Sequence, residues 1–169
     1  RFLLGGAGQA TTSLEIDANG DLAFADTIPG TLVPFAVSMS PSGEYVYVTN
    51  NDDSISIHGF EPDTGELGPA ATVGEIGGAG PVVFDAEGPL AYLPSPGGVA
   101  IVAFTVLPDG NLSLLQVLQP LPEPSAIAVS PSGQALYACN SADSTVSVYT
   151  VVAGRLTLLG APVGVTSRA

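Results

Sequence analysis

Short runs of apolar residues, many of them alternating with polar ones, follow one another along the whole chain. In the last repeat such runs occupy residues 126–130, 135–139, 145–149 and 155–159. Turns rich in proline and glycine separate them, and no stretch keeps the 3.6-residue period of an amphipathic helix. Strands of about five residues at regular intervals predict an all-β protein.

The same pattern returns every 45 residues. The stretch Tyr-Val-Thr-Asn at 47–50 has counterparts that also begin with an aromatic residue at 2–5, 92–95 and 137–140. Turn glycines keep this spacing, with 44 residues between the last two: Gly20, Gly65, Gly110 and Gly154. A fixed period of this length is typical of repeat architectures, in which each repeat is one supersecondary unit.

Each period holds four short strands, which predicts the blades of an antiparallel β-propeller. The strands are called A to D here, from the channel outward. The repeat units of this single propeller domain are predicted at 1–30, 31–75, 76–120 and 121–164, with a tail at 165–169. Strand D of the three full units is predicted at 67–73, 112–118 and 156–163. The first unit has strands B to D but no strand A, so we expect three full blades and a three-stranded first blade.

This blade count leaves the arc open. Propellers close with four to eight blades, and an open arc leaves the faces of its end blades uncovered. Closure into a four-bladed ring is one alternative, but the tail has neither the apolar pattern nor the turn of a strand A. We therefore predict that further copies of the chain, or the remainder of a larger propeller, complete the ring.

The most regular repeats resemble a known family. The segment SPSGEYVYVTN at 40–50, followed by DSISI at 53–57, resembles the YVTN-type β-propeller repeat. SPSGQALYACN at 130–140 is similar, and FEPDTGEL at 60–67 resembles the connection between strands C and D in lactonase-family seven-bladed propellers. The resemblance implies the propeller fold, of which this chain holds about half. Proteins that contain YVTN-type repeats also include archaeal and bacterial surface proteins.

The family resemblance implies two different functions. Lactonase-family members include 6-phosphogluconolactonases and carboxymuconate-cyclising relatives, whose sites use Arg, His and Glu near the channel mouth. Strand A and its flanks offer only Asp85 and Glu123 as catalytic candidates here. The leading hypothesis is a non-enzymatic extracellular scaffold or interaction module that self-association or a larger chain completes. The alternative is half of a lactonase-like propeller enzyme.

The amino-acid composition limits which classes of partner the protein can bind. The formal net charge is −13, from 16 acidic residues against 3 arginines and no lysine. This balance excludes nucleic acid, because phosphate neutralisation needs clustered Lys and Arg, and no apolar run is long enough for membrane insertion. A lysine-free chain rich in Ser, Thr, Gly and Pro suggests an extracellular or periplasmic location. No cofactor is predicted.

Polar residues gather on one predicted face. Loops B–C and D–A share one face of a propeller, and there they collect Asn50, Asp52, Asp53, Glu75, Glu123, Asn140 and Asp143. One interpretation is a partner or ligand face, or a cation site with Asp52 and Asp53 as ligands, since hard cations take several oxygens. The other is turn chemistry, because Asn and Asp cap their own backbone at strand ends.

Other reactive residues are expected to be structural. His58 is predicted to be a plain strand residue, and Cys139 a packed and inert one. The loop that begins at Asp17 only superficially resembles a calcium loop, since it lacks the later bidentate Glu. The aromatic residues that open each repeat are expected to pack between blades: Phe2, Tyr47, Tyr92 and Tyr137.

Overall fold

The computed structural model describes residues 1–29, 33–74, 80–85, 88–95, 97 and 99–165. In this part of the chain there are strands and turns but no helix, and therefore no helix long and apolar enough to span a membrane. The strands form four antiparallel sheets, each built from consecutive strands. The predicted all-β propeller blades are thereby confirmed.

The four sheets are numbered as blades in chain order. Blade 1 consists of β1 (Phe2–Ala7), β2 (Ala10–Ile16) and β3 (Leu22–Pro29), and blade 2 of β4 (Pro34–Met39), β5 (Tyr45–Asn50), β6 (Ile55–Phe60) and β7 (Leu67–Val73). Blade 3 consists of β8 (Val83–Phe84), β9 (Leu90–Ser95), β10 (Ala100–Val106) and β11 (Leu112–Leu118). Blade 4 consists of β12 (Pro124–Val129), β13 (Ala135–Asn140), β14 (Thr145–Val152), β15 (Arg155–Leu158) and β16 (Val163–Gly164).

The outer strand of the last blade differs from its prediction. Strands β7 and β11 have the predicted bounds, but the strand expected at 156–163 is two short strands, β15 and β16, which both pair with β14. Between them Gly160 has a φ of 73°. A left-handed residue does not continue a strand, and Pro162 cannot donate to the ladder, so pairing stops and resumes.

The register of blade 1 also corrects the sequence alignment. In blades 2 to 4 the glycine of the C–D turn lies against side chains of the preceding blade: Gly65 against Phe2, Gly110 against Tyr45, and Gly154 against Leu90 and Leu115. Phe2 therefore occupies the position of Tyr45, although the 45-residue spacing aligns it with Tyr47. Leu4 takes the place of Tyr47, and Ser13 instead of a tyrosine donates to the turn, with its hydroxyl 2.6 Å from Gly65 O.

The core lies between blades rather than within one. Alternate residues of each strand face opposite neighbours, so Tyr47 and Ile57 of blade 2 pack on Leu93 and Phe104 of blade 3. Similar clusters join blade 1 to blade 2 and blade 3 to blade 4. Because burial of one such side chain contributes about 2 kcal/mol, the stacking of blades supplies most of the driving force for folding.

Two expectations for blade 4, the last blade of the arc, are wrong. Tyr137 was expected between blades, but it is 45% exposed, whereas its counterparts Tyr47 and Tyr92 are 0% exposed. Cys139 was expected to be packed, but it is exposed, while the equivalent Thr49 is buried. Both side chains point away from blade 3, towards a side on which the described residues form no further blade, and this explains both differences.

Candidate functional site

Two backbone hydrogen bonds bring loops B–C and D–A together. The N–H of Asn51 donates to Val33 O at 3.0 Å in blade 2, and the N–H of Ser141 donates to Glu123 O at 3.0 Å in blade 4. In blade 4 the hydroxyl of Ser141 also lies 3.0 Å from Glu123 O. The residues around these contacts form what we call the loop face, which holds the candidate side chains.

Asn50 ends strand B and is buried by contacts within its own blade. Its Nδ2 donates to Ser56 Oγ at 2.9 Å and to Ser54 Oγ at 3.1 Å, both on the C-strand side. Asp52 in turn accepts from the hydroxyl of Ser54 at 2.6 Å and from its N–H at 3.2 Å. The side chains of Asn50 and Asp52 therefore shape the turn between the two strands.

Blade 4 repeats this network. Asn140 Nδ2 donates to Thr145 Oγ1 and to Ser147 Oγ, both at 2.9 Å, and the hydroxyl of Thr145 donates to Asp143 at 2.7 Å. Asn140 Oδ1 is buried and has no hydrogen-bond partner among the described residues. The repeated pattern shows that these polar residues organise the B–C turn as a unit.

The network also corrects which aspartates are equivalent. The spacing in the sequence pairs Asp53 with Asp143, but Asp52 makes the contacts that Asp143 makes in blade 4. Asp53 has instead a φ of 67°, as Ser144 does with 55°. The B–C turn of blade 4 is therefore one residue longer, which shifts the equivalence by one position.

The two catalytic candidates, Asp85 and Glu123, lie at opposite ends of strand A. Asp85 follows β8, and its N–H donates to Leu90 O at 3.0 Å, as Ser130 donates to Ala135 in blade 4. Glu123 precedes β12, on the loop face, and is exposed with a φ of 51°. Since a six-residue strand spans about 20 Å, the two carboxylates do not form one site.

No metal centre emerges from the acidic residues. Among the described residues, no three or more His, Cys, Asp or Glu side chains are grouped so that they could hold a metal ion. Asp17 accepts the N–H groups of Asp21 at 2.9 Å and Asn19 at 2.8 Å, and these bonds lower the pKa of its carboxyl. Glu75 lies outside the described residues.

Two tyrosines have perturbed acidity for structural reasons. Burial raises the pKa of Tyr47 to about 12, with smaller contributions from Tyr45 and Asp109. Burial likewise raises the pKa of Tyr92 to about 12, with a contribution from Asp85. Both hydroxyls are sealed between blades, so they act in folding rather than in proton transfer.

Sequence reasoning missed two concave surfaces. A groove of about 920 Å³ includes four carboxylates in its lining, those of Asp26, Glu44, Glu61 and Glu66. A smaller cavity of about 270 Å³ lies between blades 1 and 2, with the buried His58 in its wall. A signal for the cavity was present in the repeat, because His58 stands where blades 3 and 4 have Phe104 and Tyr149.

Comparison with known proteins supports the architecture. The model of a family described as lactonase, 7-bladed β-propeller, matches residues 33–163. A Lactobacillus plantarum protein of solved structure superposes with a TM-score of 0.83 at 20% identity, over 93% of this chain and 50% of that one. No curated protein matches the chain significantly.

Two further solved structures carry functional descriptions. A putative 6-phosphogluconolactonase from Bacteroides uniformis superposes with a TM-score of 0.79 at 23% identity, over 94% of this chain and 53% of that one. The periplasmic gluconolactonase of Pseudomonas aeruginosa gives a TM-score of 0.78 at 20% identity, over 94% and 52%. The chain therefore spans about half the length of these structures, and the likeness shows the fold.

Proposed function

The chain belongs to the lactonase family of seven-bladed β-propellers, and we propose that it acts as a non-enzymatic binding scaffold that further blades complete. Its two end faces dock against another copy of the chain or against the remainder of a larger propeller. The loop face of the completed ring then contacts the partner. One observation carries this proposal, namely that the end faces expose apolar side chains whose counterparts inside the arc are buried.

The end face of blade 4 is apolar across three strands. Cross-strand pairs place Tyr137 beside Val148, and Cys139 beside Val146. Ala128 pairs with Tyr137 from strand A on the same side. Inside the arc, this position holds fully buried tyrosines, so covering Tyr137 as Tyr47 is covered would bury a comparable surface and stabilise the contact by about 2 kcal/mol for this side chain.

The end face of blade 1 has the same character. Leu14 pairs with Phe24, and Ile16 pairs with Leu22, which places all four on the side that faces away from blade 2. Phe24 is 66% exposed. Large exposed apolar patches mark interaction surfaces in soluble proteins, and these two lie where a propeller requires further blades.

The placement of the acidic residues supports a scaffold over an enzyme. Asp85 and Glu123 are at opposite ends of strand A, and the carboxylates of Asp52 and Asp143 hold the B–C turns. A hydrolytic site needs an acid or base and a group that stabilises the transition state around one reacting atom. Such a constellation would have to include residues beyond those that the structure describes.

We also propose an extracellular or periplasmic location. The absence of lysine and the net charge of −13 support this, and the similar protein from Pseudomonas aeruginosa is described as periplasmic. Fractionation of cells that make the protein, followed by immunoblotting, tests the proposal. Recovery with the cytoplasmic fraction alone would contradict it.

Mass measurement of the chain tests the scaffold proposal. An associated particle that returns to the 16.9 kDa monomer on Leu22→Lys, but not on Thr64→Lys in an exposed turn, supports self-association. A monomer that binds a hydrophobic dye and unfolds without cooperativity supports completion by a larger chain. A monomer that unfolds cooperatively and binds no dye contradicts both.

Lactone hydrolysis is the second candidate, because the family match is to lactonases. In that case the completed ring would hold the site, with Glu123 contributing from the loop face. The test compares hydrolysis of gluconolactone by the completed protein and by its Glu123→Gln and Asp85→Asn variants. Activity that falls with Glu123→Gln alone would replace the scaffold proposal.

A further inference from the structure

The boundary between blades 1 and 2 differs from the other two at a buried position of strand C. His58, Phe104 and Tyr149 are equivalent, because each pairs with the residue that precedes the central tyrosine of strand B. All three side chains are buried and face the preceding blade. Phe104 and Tyr149 belong to the hydrophobic clusters between blades, whereas blade 2 presents an imidazole.

Blade 1 contributes polar residues to the same boundary. Thr11 and Ser13 face blade 2 from strand C, at the positions where blade 2 presents Ile55 and Ile57 to blade 3. Both residues of blade 1 are buried. The boundary between blades 1 and 2 is therefore more polar than the next one, and its smaller side chains leave space.

This space is the cavity of about 270 Å³. At about 30 Å³ for a water in the liquid, it has room for roughly nine water molecules, more than a single bridging water needs. Its wall contains Ala, Ile and Pro together with six polar side chains: Gln9, Thr11, Asn50, Ser56, His58 and Thr72. None of the described residues that line it is charged.

The hydrogen bonds that the lining side chains make within the protein determine which donors and acceptors remain for a ligand. His58 Nδ1 lies 3.0 Å from Gly68 O, so in the uncharged ring Nδ1 carries the proton and Nε2 is an acceptor. Asn50 Nδ2 donates to Ser56 Oγ at 2.9 Å, and by their chemistry the Oδ1 of Asn50 can accept while the hydroxyl group of Ser56 can donate in turn. The wall thus presents acceptors and donors side by side.

We propose that the cavity binds a small uncharged polyol. Hydroxyl groups both donate and accept, which matches the mixed wall. The net charge of −13 disfavours an anion, and the described residues of the wall offer a cation no carboxylate. This site shares Asn50 with the loop face but lies between blades 1 and 2, and it does not depend on the proposed scaffold function.

The unique histidine provides a direct probe, since the chain has only one. NMR titration of the 169-residue chain with glycerol, erythritol and xylitol should shift the imidazole signals of His58 saturably. We expect a dissociation constant on the order of 1 mM for xylitol. Gluconate and 1,4-diaminobutane, the charged comparators, should bind at least about tenfold more weakly.

Matched variants separate the site from general effects. Ser56→Ala and Ser147→Ala each remove one hydroxyl that accepts from an asparagine at 2.9 Å, but only Ser56 lines the cavity. Ser56→Ala should weaken xylitol binding about tenfold, and Ser147→Ala should not change it. His58→Phe, which introduces the residue of blade 3, should abolish binding in ligand-observed saturation-transfer NMR.

Three results would overturn the proposal. The first is no saturable shift up to about a hundred times the expected dissociation constant. The second is equal weakening by Ser56→Ala and Ser147→Ala, and the third is binding of gluconate as tight as that of xylitol. Should His58→Phe fail to fold, the two serine variants decide the question by themselves.

Discussion

Tyr47 donates a hydrogen bond of 2.7 Å to the carbonyl oxygen of Gly110, which joins strand B of blade 2 to the C–D turn of blade 3. Tyr92 occupies the same position one blade later, and its buried hydroxyl has no hydrogen-bond partner among the described residues. Two equivalent tyrosines therefore differ in whether the blade boundary satisfies their hydroxyl group. This difference allows the contribution of the hydrogen bond to be measured.

Tyr47→Phe should lower the free energy of unfolding by about 1–3 kcal/mol, because it leaves the buried carbonyl of Gly110 without its donor. Tyr92→Phe is the control and should have an effect near zero or be slightly stabilising, because it removes a buried hydroxyl that has no partner. Urea denaturation of both variants provides the measurement. Equal losses for the two would show that the hydrogen bond contributes nothing specific.

Stability should fall at alkaline pH. Burial raises the pKa of Tyr47 and of Tyr92 from 10.0 to about 12, so folding favours the neutral phenols. Their contribution is fully present below pH 10 and is lost as the pH rises from 10 towards 12. Denaturation midpoints at pH 9, 10.5 and 11.5, with the double variant Tyr47→Phe and Tyr92→Phe as control, should show a decline that the variant reduces. A flat profile would contradict the assignment.

Cys139 should report whether the end face of blade 4 is covered. It is exposed here, whereas Thr49 at the equivalent position of blade 2 is buried. In the isolated chain Cys139 should react with a thiol reagent as fast as a small-molecule thiol, within about threefold. Thr49→Cys in a Cys139→Ser background is the control and should be protected at least about a hundredfold. Equal rates for the two would mean that the end face is covered or that the blades separate.

The sequence predicted the strands well, because strands are short and apolar and turns need glycine or proline at defined places. Strands 67–73 and 112–118 were predicted with the bounds that β7 and β11 have. Spacing alone could not fix equivalence between residues. Phe2 was aligned with Tyr47 but occupies the place of Tyr45, since register depends on cross-strand pairing.

The candidate site was less predictable for a related reason. Asp53 was paired with Asp143, but a one-residue difference in turn length gives that role to Asp52. The cavity beside His58 depends on the small side chains that blade 1 presents to blade 2, and the sequence indicates it only when the repeats are compared position by position. The assignment of Asn50, Asn140 and their neighbours to a partner face remains a prediction.

The last prediction concerns the C–D turns of blades 1 and 3, which differ mainly in whether a preceding blade packs against them. Gly20 and Gly110 have φ values of 89° and 80°, so alanine is strained at both. A Cβ on Gly110 would collide with the ring of Tyr45, whereas a Cβ on Gly20 would meet nothing within 4 Å. The pair therefore separates backbone strain from contact with a neighbouring blade.

In the isolated chain Gly20→Ala should cost about 1 kcal/mol of backbone strain, and Gly110→Ala should cost about 1–3 kcal/mol more, because the Tyr45 ring must move. Once further blades cover blade 1, the proposed scaffold predicts that Gly20→Ala becomes as costly as Gly110→Ala. Thermal unfolding of both variants, alone and in the completed assembly, measures this change. If the cost of Gly20→Ala is the same in both states, no blade packs against blade 1, because every C–D turn inside the arc is covered by the blade before it.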